Sequence, residues 1–258
     1  MWDQGGVMKN LIKILIVNAI LAVFASIGLA NTASATDWSG AYLGIHGGYD
    51  WGTAKNNFAI NGGGFPTNAF APEATGGEFS QNINGGEYGG QLGFNIQRNN
   101  VVYGLEASIE GDSLKHTSTN VFPTVPPTVS YETKVNWLVA ITPRLGYVKN
   151  DWLFFVKAGL AAGEVQSSLS STAATLSFSR KTDQIGWTAG LGLNYALNRF
   201  AMNKWIVGLE YNYFDLGTKT YGGMVNGGQT QLLPTLYPVQ YTVHPTFSSV
   251  QASLSYKF

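Results

Sequence analysis

From residue 249 to residue 258 the chain alternates without a break. Val250, Ala252, Leu254, Tyr256 and Phe258 fall on one face, and Ser249, Gln251, Ser253, Ser255 and Lys257 fall on the other. A period of two is the period of a β-strand, so this segment is a strand with one apolar and one polar face. Its length and its aromatic end suit a half-buried strand of a soluble sandwich. They also suit the repeat unit of a membrane-spanning barrel, which needs about 9–11 residues per strand.

The same alternation recurs along the chain, and its repetition narrows the choice. Residues 41–51 set Ala41, Leu43, Ile45, Tyr49 and Trp51 against Tyr42, Gly44, His46, Gly48 and Asp50. Residues 87–97 oppose Tyr88, Leu92, Phe94 and Ile96 to Gly89, Gln91, Gly93, Asn95 and Gln97. Residues 101–110 oppose Val101, Tyr103, Leu105, Ala107 and Ile109 to Val102, Gly104, Glu106, Ser108 and Glu110. In residues 134–147 the apolar face is Val135, Trp137, Val139, Ile141, Leu145 and Tyr147, with Asn136, Ala140, Thr142, Arg144 and Gly146 opposite. Pro143 interrupts that strand, and a bulge or a place near the rim is expected for it. Residues 152–163 are read with Lys157 inward and Phe154, Val156, Ala158, Leu160 and Ala162 outward. Residues 185–196 (Ile185, Trp187, Ala189, Leu191, Leu193, Tyr195 outward) and 205–214 (Trp205, Val207, Leu209, Tyr211, Tyr213 outward) complete the set.

Eight such strands are joined by connections that alternate long and short. Residues 52–84, the Pro123, Pro126 and Pro127 region, 165–183 and 216–245 read as long polar loops; 98–100, 149–151 and 198–203 read as short connections. In an up-and-down barrel this alternation gathers the long loops at one rim. Trp51, Tyr103, Trp137, Tyr147, Trp187, Tyr195, Trp205 and Tyr256 stand near the ends of apolar faces, as rings of an aromatic girdle do. The fold class read from the residues is all-β: an eight-stranded antiparallel up-and-down transmembrane barrel. A soluble lipocalin-like barrel would invert the two faces.

Composition agrees. Only 12% of the residues are charged, against roughly 25% in soluble domains, while 13% are aromatic and 32 are glycine. A formal net charge of zero supplies no field for nucleic acid. The absence of cysteine excludes disulfide staples and thiolate metal sites. Lys9 and Lys13 precede an apolar run over 14–30, and Ala33-Ser34-Ala35 follows. Residues 1–35 therefore read as a secretory signal peptide, with Met8 an alternative start and a helical anchor the competing reading. Residues 36–258 form the barrel domain.

Several stretches resemble one family. Gly186-Trp187-Thr188-Ala189-Gly190-Leu191-Gly192-Leu193-Asn194-Tyr195, Gly208-Leu209-Glu210-Tyr211-Asn212-Tyr213, Trp38-Ser39-Gly40-Ala41-Tyr42-Leu43-Gly44, Arg144-Leu145-Gly146-Tyr147 and the Tyr256-Lys257-Phe258 ending are similar to the alphaproteobacterial outer-membrane immunogenic proteins, small porin-like surface antigens. The resemblance implies an eight-stranded barrel in the outer membrane of a Gram-negative cell, reached through the periplasm. It implies outer-membrane lipid and the barrel-assembly machinery as partners, with Leu254, Tyr256 and Phe258 as the C-terminal assembly signal. It also implies an unidentified extracellular or host ligand for the loops, and some relatives are described as haemin binders.

The residues carry no enzyme motif. His46 reads as a lumen residue, and His116 and His244 lie at or near loops, where haem ligation competes with simple solvation. No cofactor or metal is assigned. The informative groups are the inward charges Glu106, Glu110, Arg144, Lys157 and Glu210. Eight strands leave an interior about wide enough for side chains to fill, so these charges read either as a plug or as the lining of a narrow channel. A surface scaffold and a small passive pore both remain open.

Overall fold

The computed structural model describes residues 36–60, 76–112, 115–119, 129–171, 177–197, 204–226 and 236–258. All belong to the unit Thr36–Phe258. The expected signal peptide, 1–35, lies outside the described residues.

The strands are β1 (Gly40–Ile60), β2 (Gly76–Arg98), β3 (Val101–Asp112), β4 (Lys115–Thr119), β5 (Val129–Lys149), β6 (Trp152–Ser171), β7 (Ser177–Ala196), β8 (Trp205–Asp215), β9 (Lys219–Asn226) and β10 (Leu236–Lys257). Every pairing is antiparallel. Both β3 and β4 lie between β2 and β5, and both β8 and β9 pair with β10, so the ten segments form a ring of eight staves. Pairing of β1 with β2 on one side and with β10 on the other closes it. Two connections are tight because Asn99 and Asn150 take a left-handed backbone (φ 55° each), which asparagine tolerates better than most residues.

Outward apolar residues are exposed in a band around the ring, among them Leu43, Ile45, Leu92, Phe94, Leu105, Ile141, Leu160, Ile185 and Leu254. Aromatic pairs flank it. Toward the turn rim, Trp152 meets Tyr195 at 4.7 Å and Trp205 meets Tyr256 at 5.4 Å. Toward the opposite, far rim, Trp187 meets Tyr213 at 5.4 Å and Trp51 meets Tyr211 at 6.3 Å. Tyr103, Trp137 and Tyr147 are exposed on the same outer surface.

The structure corrects the sequence reading in three places. First, much of what reads as long loop is strand. The ladder continues from Thr53↔Asn82 to Asn57↔Glu78 between β1 and β2, and from Val165↔Thr182 to Ser170↔Ser177 between β6 and β7. Most of residues 216–245 lies in β9 and β10. In these extensions the inner face is mixed and the outer one polar: Ala54, Ile83, Val165 and Val243 are buried inward beside Asn56, Gln81, Thr133 and Ser167, while Lys55, Asn57 and Lys181 point out and are exposed. Beyond an apolar slab the outer wall meets water, so the apolar outer face by which the other strands are recognised is missing.

Second, the bulge is not at Pro143. It lies between Val135 and Trp137, where Asn136 is the extra residue against β6, and it turns Val135 inward to full burial. Pro143 stays in register opposite Leu105 of β3, while pairing with β6 skips Thr142 and Pro143 and resumes unshifted at Arg144↔Lys157. A residue without an N–H omits a bond there without bending the strand out of register.

Third, the inward face is not uniformly polar. Trp38, Val102, Val148, Leu153, Phe155, Ala196 and Ile206 form an apolar layer at the turn rim. Trp38 is held there by the segment before β1, whose backbone N–H at Trp38 donates to Gln97 Oε1 at 2.8 Å. A second layer toward the far rim joins Ala54, Ile83, Val135, Leu138, Ala140, Ala161, Val165, Phe214, Leu216, Val243 and Phe247. Within it Phe214 and Phe247 stack at 5.0 Å.

Candidate functional site in the barrel lumen

Between the two apolar layers the lumen is polar, and alternation puts its groups there. Glu106 on β3, Arg144 on β5, Lys157 on β6 and Glu210 on β8 all occupy inward positions. Arg144 Nη1 lies 3.0 Å from Glu106 Oε2. Lys157 Nζ bridges two carboxylates, 2.8 Å from Glu106 Oε1 and 2.6 Å from Glu210 Oε2. The side chains of all four are buried, Lys157 being 8% exposed and the others 1%.

Tyr42 completes the cluster, and the sequence reading gave it no role. Its hydroxyl donates to Glu106 Oε2 at 2.6 Å and accepts from Arg144 Nη1 at 2.7 Å. The Arg144 guanidinium also stacks 3.9 Å over the Phe155 ring. A signal for Tyr42 was present: a large aromatic residue on the polar face of the first strand has to find a partner for its hydroxyl when buried.

Two glycines make these reaches possible. Tyr42 on β1 crosses β2 to meet Glu106 on β3, and the crossing point is Gly93, the register partner of both. A Cβ at Gly93 would stand 2.4 Å from the Tyr42 hydroxyl oxygen. On the other side Glu210 on β8 lies over its β7 partner Gly192 as it meets Lys157 of β6. A Cβ there would fall 2.6 Å from Phe155 and 2.9 Å from Glu210 Cγ. Inward glycines are the grooves in which the long side chains lie.

Glu110 faces the lumen but stands apart from the Glu106 cluster. It makes none of the lumen salt bridges among the described residues, because four residues along a strand set it about 13 Å from Glu106. It sits instead with Glu87, and Gln251 Nε2 donates to Glu87 Oε2 at 2.9 Å and to Glu110 Oε1 at 3.3 Å. Asp50 is buried in the same polar zone. The sequence reading singled out neither Asp50 nor Glu87 as a site residue.

The histidines separate. His46 is buried in the lumen with Nδ1 3.2 Å from Gln91 Oε1. His244 lies on the outer wall of β10 with Nε2 2.8 Å from Asp215 Oδ1. His116 is opposite Thr133 in the register of β4 with β5, and its side chain lies outside the described residues. Among the described residues no three His, Asp or Glu side chains are grouped so as to hold a metal ion. At the chain end, Tyr256 meets Phe258 edge to face at 5.4 Å, and Leu254 is exposed on the outer wall.

The chain is similar to known proteins of bacterial outer membranes. The chain is 30% identical over 264 residues to the 31 kDa outer-membrane immunogenic protein of Brucella melitensis biotype 1, covering 95% of this chain and all of the relative. It is 30% identical over 149 residues to the 22 kDa outer membrane protein of Rhizobium leguminosarum bv. viciae, covering 56% of this chain and 60% of that protein. The crystal structure of the outer membrane protein OprG from Pseudomonas aeruginosa aligns with a TM-score of 0.44 at 11% identity, over 85% of this chain and 97% of that one. The model of the outer membrane protein beta-barrel domain matches residues 19–258, so the chain belongs to that family and is a protein of the outer membrane.

Proposed function

We propose that the protein is a closed outer-membrane scaffold whose elongated far end, facing outside the cell, carries surface interactions or supports envelope integrity. One observation supports this above others: the ion-paired layer around Glu106 lies between two apolar layers, with Leu138, Val135, Phe247 and Trp38 buried inside the barrel. A hydrated path would have to break both layers. In this reading the lumen charges are a plug and no solute is transported. The C-terminal Leu254, Tyr256 and Phe258 serve recognition by the barrel-assembly machinery, residues 1–35 are the removed export signal, and an extracellular or host ligand meets the far end.

The competing reading is a narrow passive pore, favoured by the carboxylates of Asp50, Glu87 and Glu110, which line the lumen beside few cations. Single-channel recording in planar bilayers separates the two. The scaffold reading expects no steady conductance at neutral pH, and large, long-lived openings of the wild-type protein would replace it by the pore. Haemin binding through His244 or His116 is the minor reading; a haemin titration followed in the visible spectrum, with His244→Ala and His116→Ala, tests it.

A further inference from the structure

The segment ahead of β1 carries the Trp38-Ser39-Gly40-Ala41 stretch, and it runs across the barrel rather than along its wall. Gly40 opens β1 at the turn rim. Thr36, a few residues earlier, is bonded to the turn between β5 and β6: its N–H donates to Asn150 O at 3.4 Å and its hydroxyl to Asp151 Oδ1 at 2.7 Å. In the ring that turn stands opposite β1, with β2 and β3 between them on one side and β10, β8 and β7 on the other. The stretch from Thr36 to Gly40 reaches at most about 14 Å. Residues 36–39 are therefore a taut strap over the mouth of the barrel.

The strap is fastened along its length. Trp38 N–H donates to Gln97 Oε1 at 2.8 Å, Gln97 N–H to Ser39 Oγ at 3.0 Å, and Lys257 Nζ to the Asp37 carbonyl. At its middle the Trp38 side chain is buried in the apolar layer with Val102, Val148, Leu153 and Ile206. A large indole seated there closes the mouth that the strands leave open.

The backbone tether at Thr36 is the longest of these bonds, and it is the one that processing changes. While Ala35 is attached, Thr36 supplies one neutral amide N–H at 3.4 Å, beyond the usual range. Removal of residues 1–35 leaves in its place an α-amine, largely protonated at neutral pH. The Asp151 carboxylate, already the acceptor of the Thr36 hydroxyl, then stands beside a cation on the same residue. Charge-assisted hydrogen bonds of this kind are shorter and about twice as strong as neutral ones. Asp151 is half-buried, so the pair is partly screened and its effect is graded.

We propose that the Asn150–Asp151 turn is the acceptor site for the α-ammonium that export processing creates at Thr36, and that its seating draws Trp38 into the mouth and stoppers the turn rim. The proposal rests on the reading of residues 1–35 as a removed export signal and deepens the scaffold reading. The chain still attached to its signal has a looser mouth, and the processed chain a closed one.

The chain has no cysteine, so a thiol introduced under the strap is a unique reporter. Val102→Cys supplies it, at a buried position whose partner on β2 is Gln97, the residue that holds Trp38. Barrels in lipid nanodiscs begin either at Thr36 or at Ala33, the second keeping Ala33-Ser34-Ala35 and so moving the ammonium away from the turn. Each is made with Asp151 and with Asp151→Asn, and the rate of labelling by a small water-soluble maleimide is measured. Heat-dependent gel migration checks that every variant is folded. Labelling is expected to be slow in the chain that begins at Thr36, about threefold or more faster after either change, and no faster after both than after one, because each removes the same pair. Trp38→Ala in the chain that begins at Thr36 is expected to label at least as fast as these. Equal rates for the two starts overturn the proposal, as do effects of the extension and of Asp151→Asn that multiply, or indifference to Trp38→Ala. Sequencing the protein recovered from outer membranes tests the processing reading separately. Thr36 as first residue with labelling that ignores the start overturns the proposal alone, whereas any other first residue overturns the cleavage reading and the proposal with it.

Discussion

Glu106 and Lys157 stand on staves separated by the whole of β5, yet their side chains meet inside the barrel at 2.8 Å. Lys157 spends its remaining reach on Glu210, two staves away in the other direction. One ammonium therefore ties three non-adjacent positions of the ring across the lumen. Lys157→Ala leaves both carboxylates buried without that cation, at a cost of about 3–5 kcal/mol for a buried pair, less where water enters. Urea unfolding in detergent or lipid measures it, and a loss below about 0.5 kcal/mol would mean that the lumen is well hydrated.

Arg144 and Glu106 are in direct contact, so their substitutions are expected not to add. Arg144→Ala and Glu106→Ala are each destabilising, and the double variant is expected to be less damaged than their sum by more than about 0.5 kcal/mol. Additive losses would show that the two act independently.

Tyr42→Phe removes the hydroxyl that both accepts from Arg144 and donates to Glu106. With the buried charges left one partner short, the expected loss is about 1–3 kcal/mol with no change in β content by circular dichroism. Gly93→Ala is expected to be comparably harmful, since its methyl group would displace the same tyrosine ring.

Phe247 is fully buried against Phe214 in the far apolar layer. Phe247→Ala is expected to cost about 3–5 kcal/mol, as in a soluble core, and Ser179→Ala on the outer wall less than about 0.5. If the far layer is the seal of the lumen, planar-bilayer recording of Phe247→Ala also shows brief openings that the wild type lacks.

Lys55 lies in a segment with the composition of a loop, but it is held in register by Ser80 on one side and His244 on the other. Trypsin is expected to spare it in the folded protein under conditions that digest the unfolded chain, because paired backbone opens rarely. Early cleavage after Lys55 would mean that this end of the β1 ladder is not stable in solution.

The sequence alone determined the barrel. Eight faces of alternating character leave, in lipid, no other way to pair every backbone group than to close the ring, and alternation also placed Glu106, Arg144, Lys157 and Glu210 on its inner side. Those conclusions are local, since the side-chain period of two holds along any strand.

What the alternation does not carry is the relation between strands. That Glu106 pairs with Lys157 and Glu110 does not depends on stagger across three staves. The part played by Tyr42 depends on a glycine in a different strand that opens its path. The extra residue at Asn136, which turned Val135 inward, is a mismatch between two ladders and leaves no mark in either strand read singly. The extensions beyond the apolar band escaped the sequence because water, not lipid, faces their outer wall, so the residues that are buried there are the inward ones. Only the closed tertiary structure shows that the lumen is layered, with the ion pairs held between two apolar layers, and that beyond the pair Trp187↔Asp215 no pairing joins β7 to β9 among the described residues.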